Sequence, residues 1–110
     1  MAHQIVDAIA DKKGENIVLV DIQALSTIAD YFVIASGTSE RQLKALTEGV
    51  SETVRENLKV KPRHIEGDPS TGWVLLDYAD VIVHLFSPRL RAYYDLESLW
   101  KSAPVLVRMQ

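Results

Sequence analysis

The chain has 110 residues, 12 Lys+Arg against 15 Asp+Glu for a formal net charge of -3, and no cysteine. Length makes it one domain. The missing cysteines exclude a disulfide scaffold, a thiolate zinc site and a cysteine nucleophile, and the acidic balance argues against a protein held mainly by nucleic-acid phosphates while suiting a basic protein partner. In residues 2–12, Ala2, Ile5, Val6 and Ile9 recur at helical spacing, with Asp7 and Asp11 on the polar side and Gly14 as a stop. Ile17–Val20 and Tyr31–Ala35 are continuous, β-branched apolar runs bounded by turn residues. Such runs suit strands buried on both faces. The segment Ile22–Asp30 between them is too short for a helical crossover and has room for a single helical turn.

The spacing predicts a helix over residues 40–58, with Leu43, Leu46, Val50, Val54 and Leu58 on one stripe and Glu40, Lys44, Glu48, Glu52 and Glu56 on another. Ser39 with Gln42 reads as a capping box, each side chain satisfying a free backbone N–H. Gly49 inside the helix costs about 1 kcal/mol against alanine and marks a close packing contact. Residues 31–36, the helix and Arg63–Glu66 would form one crossover, with Pro62 at the start of the third strand. Gly67–Gly72 is a turn-rich loop. Trp73–Asp77 and Asp80–Phe86 are two strands separated only by Tyr78-Ala79, so they pair as an antiparallel hairpin. Ser87-Pro88 opens a last helix, along which Leu90, Tyr93, Leu96, Leu99 and Trp100 recur. The domain is expected over residues 1–103, and the tail 104–110 reads as an extended arm or a disordered end. The expected architecture is a compact α/β domain with a mixed sheet of five strands flanked by three helices.

No apolar run approaches the roughly 18 residues of a membrane helix. The first fifteen residues carry acids and no apolar core, unlike a secretory or transit peptide. Cytoplasm is the expected compartment.

The candidate sites divide between functional and structural readings. His3, His64 and His84 lie at no metal-ligand spacing, and a structural role is the expectation for each. Gly37-Thr38-Ser39 opens a helix after a strand, where backbone N–H groups can bind phosphate, but a tight turn and a helix cap explain the same residues. Asp77 and Asp80 bracket a hairpin turn, where a turn-stabilising or partner-facing role fits better than acid–base chemistry. Lys59, Lys61 and Arg63 are the best nucleic-acid footprint, short and without interleaved aromatics. Trp73 reads either as a core tryptophan or as an aromatic anchor inside an acidic rim of Glu66, Asp68, Asp77 and Asp80, the usual composition of a protein-binding hot spot.

Three blocks, DYFVIASGTSERQLKAL (30–46), GWVLLDYADVIVHLF (72–86) and YYDLESLW (93–100), closely resemble the ribosomal silencing factor family, also called Iojap, and IADKKGENIVLVDI (9–22) matches as well. One departure is Ala79, where the family usually has glycine in the hairpin turn. The resemblance implies a nucleotidyltransferase-like fold, a homodimer in the free state, and no enzymatic activity or cofactor. It implies binding to the large ribosomal subunit through ribosomal protein number fourteen, obstructing subunit joining and repressing translation under nutrient limitation; organellar relatives serve in large-subunit assembly. Carried over by position, Trp73 would be the apolar anchor, Leu76 and Tyr78 would add contact area, and Asp77 and Asp80 would face basic groups, with Asp77 alternatively pinning the turn. Contact with ribosomal RNA would be minor. An enzyme reading would draw on Gly37, Thr38, Ser39, Asp77 and Asp80. It lacks the closely spaced acidic pair that magnesium-dependent transfer needs after the Gly-Ser turn.

Overall fold

The computed structural model describes residues 1–110. Helix α1 (Ala2–Asp11) buries Ile5, Val6, Ala8 and Ile9. Its chain then turns at Gly14, where a Cβ would come within 2.3 Å of Ile9 Cγ2, so only glycine fits the close approach. Strand β1 (Glu15–Asp21) and strand β2 (Tyr31–Ser36) pair antiparallel. Their link needs no crossover, and it holds a single turn in which Ser26 N–H donates to the Ile22 carbonyl.

Helix α2 spans Glu40–Leu58 as its periodicity dictates, with Leu43, Leu46, Gly49, Val50 and Val54 buried. The predicted capping box is only half formed. Ser39 Oγ accepts from Gln42 N–H at 3.0 Å, but Gln42 Oε1 accepts from Thr38 N–H at 2.8 Å, one residue early. The reason is a tertiary bond: Gln42 Nε2 donates to the Lys13 carbonyl at 2.7 Å, which pulls the amide toward the α1–β1 turn. Gly49 is a packing glycine, since a Cβ there would lie 3.0 Å from Lys12 Cγ.

Strand β3 (His64–Asp68) takes Gly67 and Asp68 from the expected loop. It is followed by a 3₁₀ turn over Pro69–Thr71, then β4 (Trp73–Asp77) and β5 (Val81–Phe86). Helix α3 (Pro88–Tyr94) starts on the Ser87 cap, whose Oγ accepts from Leu90 N–H. The last helix is not continuous as its spacing suggested. Asp95 adopts φ 48, and a single turn α4 (Leu96–Leu99) resumes in a new direction. The break leaves Tyr93 and Leu99 exposed at 76% and 71%, instead of placing them on one buried stripe.

The sheet has six strands, not five, in the order β3-β4-β5-β2-β1-β6. The addition is β6 (Val105–Met109), which pairs antiparallel with β1. Only β2 and β5 pair in parallel. The crossover from β2 through α2 therefore passes over β5 and β4 and delivers β3 to the sheet edge. It does not pair with β2.

Side chains alternate across a strand, and here the two faces do different work. One face carries Ile17, Leu19, Val33, Ala35, Val74, Leu76, Val83 and Leu85 under α1 and α2, forming the main core. The other carries Val18, Val20, Phe32 and Ile82, covered in part by Trp100 and Ala103. The second face is the thinner layer, and at the sheet edge beyond β4 every residue of β3 is exposed. No helix is long and apolar enough to cross a membrane.

Candidate functional site

The alternation of β4 decides which predicted residues share a surface. Trp73, Leu75 and Asp77 are half-buried while Val74 and Leu76 are buried. Leu76 is 0% exposed in the core beneath α2, and Tyr78 is 5% exposed in the same core. Both side chains therefore lie in the core rather than on the surface beside Trp73. Burial pushes the Tyr78 phenol above its ordinary pKa, with Ser51 of α2 pulling it back. Leu75, two positions from Trp73, is the leucine that shares its face. The period-two rule could have found it, since i and i+2 share a face whatever the fold.

Trp73 sits opposite Phe86, and Leu75 opposite His84, in the β4–β5 register. The indole packs against Phe86 at a ring separation of 5.0 Å and against Tyr94 of α3 at 4.6 Å. Its Nε1–H donates to His84 Nδ1 at 3.3 Å. His84 is 4% exposed between Phe32 and Phe86. Burial lowers its pKa to about 4, so at neutral pH the ring is uncharged. Since Nδ1 accepts, the ring proton is on Nε2, a buried atom with no partner. The two readings of Trp73 thus merge: one edge is pinned to the sheet, and the rest forms a wall. That wall belongs to a cavity of about 270 Å³ shared with Glu66, Gly67, Thr71, Leu75, Leu90 and Tyr94.

The acids differ in what they are free to do. Asp77 Oδ2 meets Arg63 at 3.0 Å, and Oδ1 accepts from Ala79 N–H at 2.8 Å. Burial works to raise its pKa, but the Ala79 N–H, the Arg63 guanidinium and nearby His64 outweigh it and hold the carboxyl below the ordinary range. Asp77 therefore pins the turn. Asp68 caps the 3₁₀ turn, its Oδ1 accepting from the Ser70 amide and hydroxyl at 2.9 Å, which lowers its pKa. Asp80 stands exposed at the hairpin tip, where its carbonyl accepts from Asp30 and Tyr31 N–H. Between them, Ala79 has φ 72, and Asp80 N–H bonds back to the Tyr78 carbonyl at 2.9 Å. That is the strained, positive-φ γ-turn, a conformation that favours glycine.

Gly37, Thr38 and Ser39 lie at the C-terminal end of β2, whereas the Asp77–Asp80 turn meets its N-terminal end through Tyr31. Six residues of strand separate them by roughly 20 Å, so these five do not form one site. His3 and His64 are exposed on α1 and β3, apart from His84. Lys59 and Lys61 are exposed after α2, while Arg63 is engaged by Asp77. The sequence puts the final helix near this surface without singling out Leu90 and Tyr94, the two side chains that α3 brings to the cavity. Sequence reasoning missed the bond from Trp73 to His84, although alternation from Phe86 places His84 on that face.

Comparison with known proteins gives the family. A family model described as "Ribosomal silencing factor during starvation" matches residues 1–110. The chain is 40% identical over 101 residues to the ribosomal silencing factor of Halalkalibacterium halodurans, covering 92% of this chain and 86% of that protein. It is 30% identical over 99 residues to "Mitochondrial assembly of ribosomal large subunit protein 1" of Mus musculus, covering 87% of this chain and 43% of that protein. A crystal structure from Chromobacterium violaceum superposes with a TM-score of 0.85 at 37% identity, covering 90% of this chain and 82% of that one. With the match running the full length of the chain, and through both the Trp73 hairpin and α3, the chain belongs to the ribosomal silencing factor family.

Proposed function

We propose that this protein binds the large ribosomal subunit through ribosomal protein number fourteen and, by occupying the face that meets the small subunit, blocks subunit joining and represses translation when nutrients are scarce. The observation that carries the reading is Trp73: a half-exposed indole held in place by Phe86, Tyr94 and His84, beside an open cavity on the thinner face of the sheet. Rigid aromatic anchors of this kind dominate protein interfaces. Steric exclusion needs affinity and position and no catalytic group. A body 34 × 33 × 23 Å in extent is large enough to obstruct an interface of that kind. The reading places the protein in the cytoplasm, with Lys59 and Lys61 available for a minor contact to ribosomal RNA, and a homodimer as the free state.

The test mixes the protein with purified large subunits, adds small subunits and measures joined ribosomes by sedimentation. Joining should fall in proportion to bound protein, and Trp73→Ala should restore it. Undiminished joining at saturating protein would sink the proposal. A second reading, a large-subunit assembly factor, is favoured by the name of the mouse relative. Its signature would be co-sedimentation with immature large subunits in preference to mature ones.

A further inference from the structure

The cavity beside Trp73 has a composition that narrows what enters it. Its walls are apolar, from Leu75, Leu90 and the rings of Trp73 and Tyr94, and Glu66 stands at its rim. Glu66 reaches that place because it pairs with Leu75 across β3 and β4, so both side chains rise from the same face. Among the acids around Trp73, Asp68 is bonded to Ser70 and Asp77 to Arg63 and the Ala79 amide, while Asp80 lies at the far end of β4. Glu66 makes no ion pair and no side-chain hydrogen bond within the chain. An unpaired carboxylate at the mouth of an aromatic and aliphatic cavity is complementary to a side chain with an apolar stem and a cationic head.

We infer that this cavity receives one arginine side chain of the protein partner, its stem against Leu75 and Leu90, its guanidinium on the Glu66 carboxylate and against the Trp73 and Tyr94 rings. Arginine fits better than lysine because its planar guanidinium is weakly hydrated, stacks on aromatic rings and meets a carboxylate through two parallel bonds. The inference rests on the reading that the Trp73 face docks a protein, and adds the chemistry of what it grips.

The experiment separates the two. Labelled protein is titrated with the peptide acetyl-Gly-Arg-Gly-amide and with its citrulline and lysine counterparts, following the indole N–H signal of Trp73 by nuclear magnetic resonance. The signal is assigned with the Trp100→Phe variant. The arginine peptide should shift the Trp73 signal saturably, the citrulline peptide should not, and the lysine peptide should act more weakly. Glu66→Gln, a change at an exposed strand edge, should lower arginine-peptide affinity by about tenfold. A citrulline or lysine response equal to that of arginine, or an unaffected Glu66→Gln, overturns the inference. In sedimentation with large subunits, wild-type binding with an equal Glu66→Gln affinity also overturns it, yet leaves the proposed function standing. Absence of wild-type binding overturns the function, and the peptide titration then decides the cavity by itself.

Discussion

The Trp73 indole N–H donates to Nδ1 of His84 at 3.3 Å, coupling the half-exposed wall of the site to the most buried titratable side chain of the thin face. This bond exists only while His84 is neutral. Its pKa, lowered by burial to about 4, lies below the 6.5 of an unfolded histidine. Between those values the unfolded chain binds a proton that the folded chain refuses, so stability falls as pH drops through that window. The full difference is about 3 kcal/mol. His84→Leu should flatten the decline between pH 6.5 and 4, measured by urea unfolding across the range. Asp68 and Asp77, whose pKa values are depressed in the fold, lose their stabilisation only at lower pH, as the folded carboxyls protonate, and separate from this effect.

Leu75 and Leu76 are neighbours with opposite fates, and substitution should show it. Leu76→Ala opens a void beneath α2 and should cost about 3 kcal/mol of stability while leaving residual binding to large subunits in the folded fraction. Leu75→Ala should cost about 1 kcal/mol yet weaken large-subunit binding markedly. Paired urea titrations and sedimentation assays distinguish the two, and equal behaviour would show that β4 faces were misassigned.

Ala79 carries a positive φ that glycine adopts freely. Ala79→Gly should relieve left-handed strain worth about 1 kcal/mol and raise Tm by about 4 °C. The hydrogen bonds of Asp77 to Ala79 N–H and to Arg63 remain possible in the variant, so the turn keeps its shape. A lowered Tm in a calorimetric scan would contradict the assigned turn.

Arg91 ties α3 to the sheet. Its guanidinium donates to the Asn16 carbonyl at 2.6 Å, to Ser36 Oγ at 2.9 Å and to Glu97 at 2.8 Å, with only 13% of the side chain exposed. Arg91→Leu should cost about 2 kcal/mol, because it leaves buried Ser36 without a partner. It should also weaken large-subunit binding, since α3 carries Leu90 and Tyr94 to the cavity. Ser36→Ala alone should cost less stability and spare binding. Equal binding losses in the two variants would mean that Arg91 does not position α3.

Much of this protein is written locally. The apolar stripe of α2 and the Ser39 cap, the β-branched runs of β1 and β2, the short hairpin of β4 and β5 and the Ser87-Pro88 start of α3 each rest on neighbours within a few residues, where sterics and backbone hydrogen bonds act. Trp73 and the hairpin blocks are also enough to mark the family. The tertiary structure decided what depends on distant partners. VLVRM becomes β6 only because β1 offers it an open edge, and an isolated strand has nothing else to pair with. The helix breaks at Asp95, and beyond the break Glu97 meets Arg91 six residues back while Trp100 packs on Phe32, far away in the chain. Alternation alone says that Leu75 and Leu76 point opposite ways, but only the packing of α2 on one face says which is core. The same choice set Glu66 and Trp73 on the open face, because burial is a property of the whole sheet and its cover, not of any one strand.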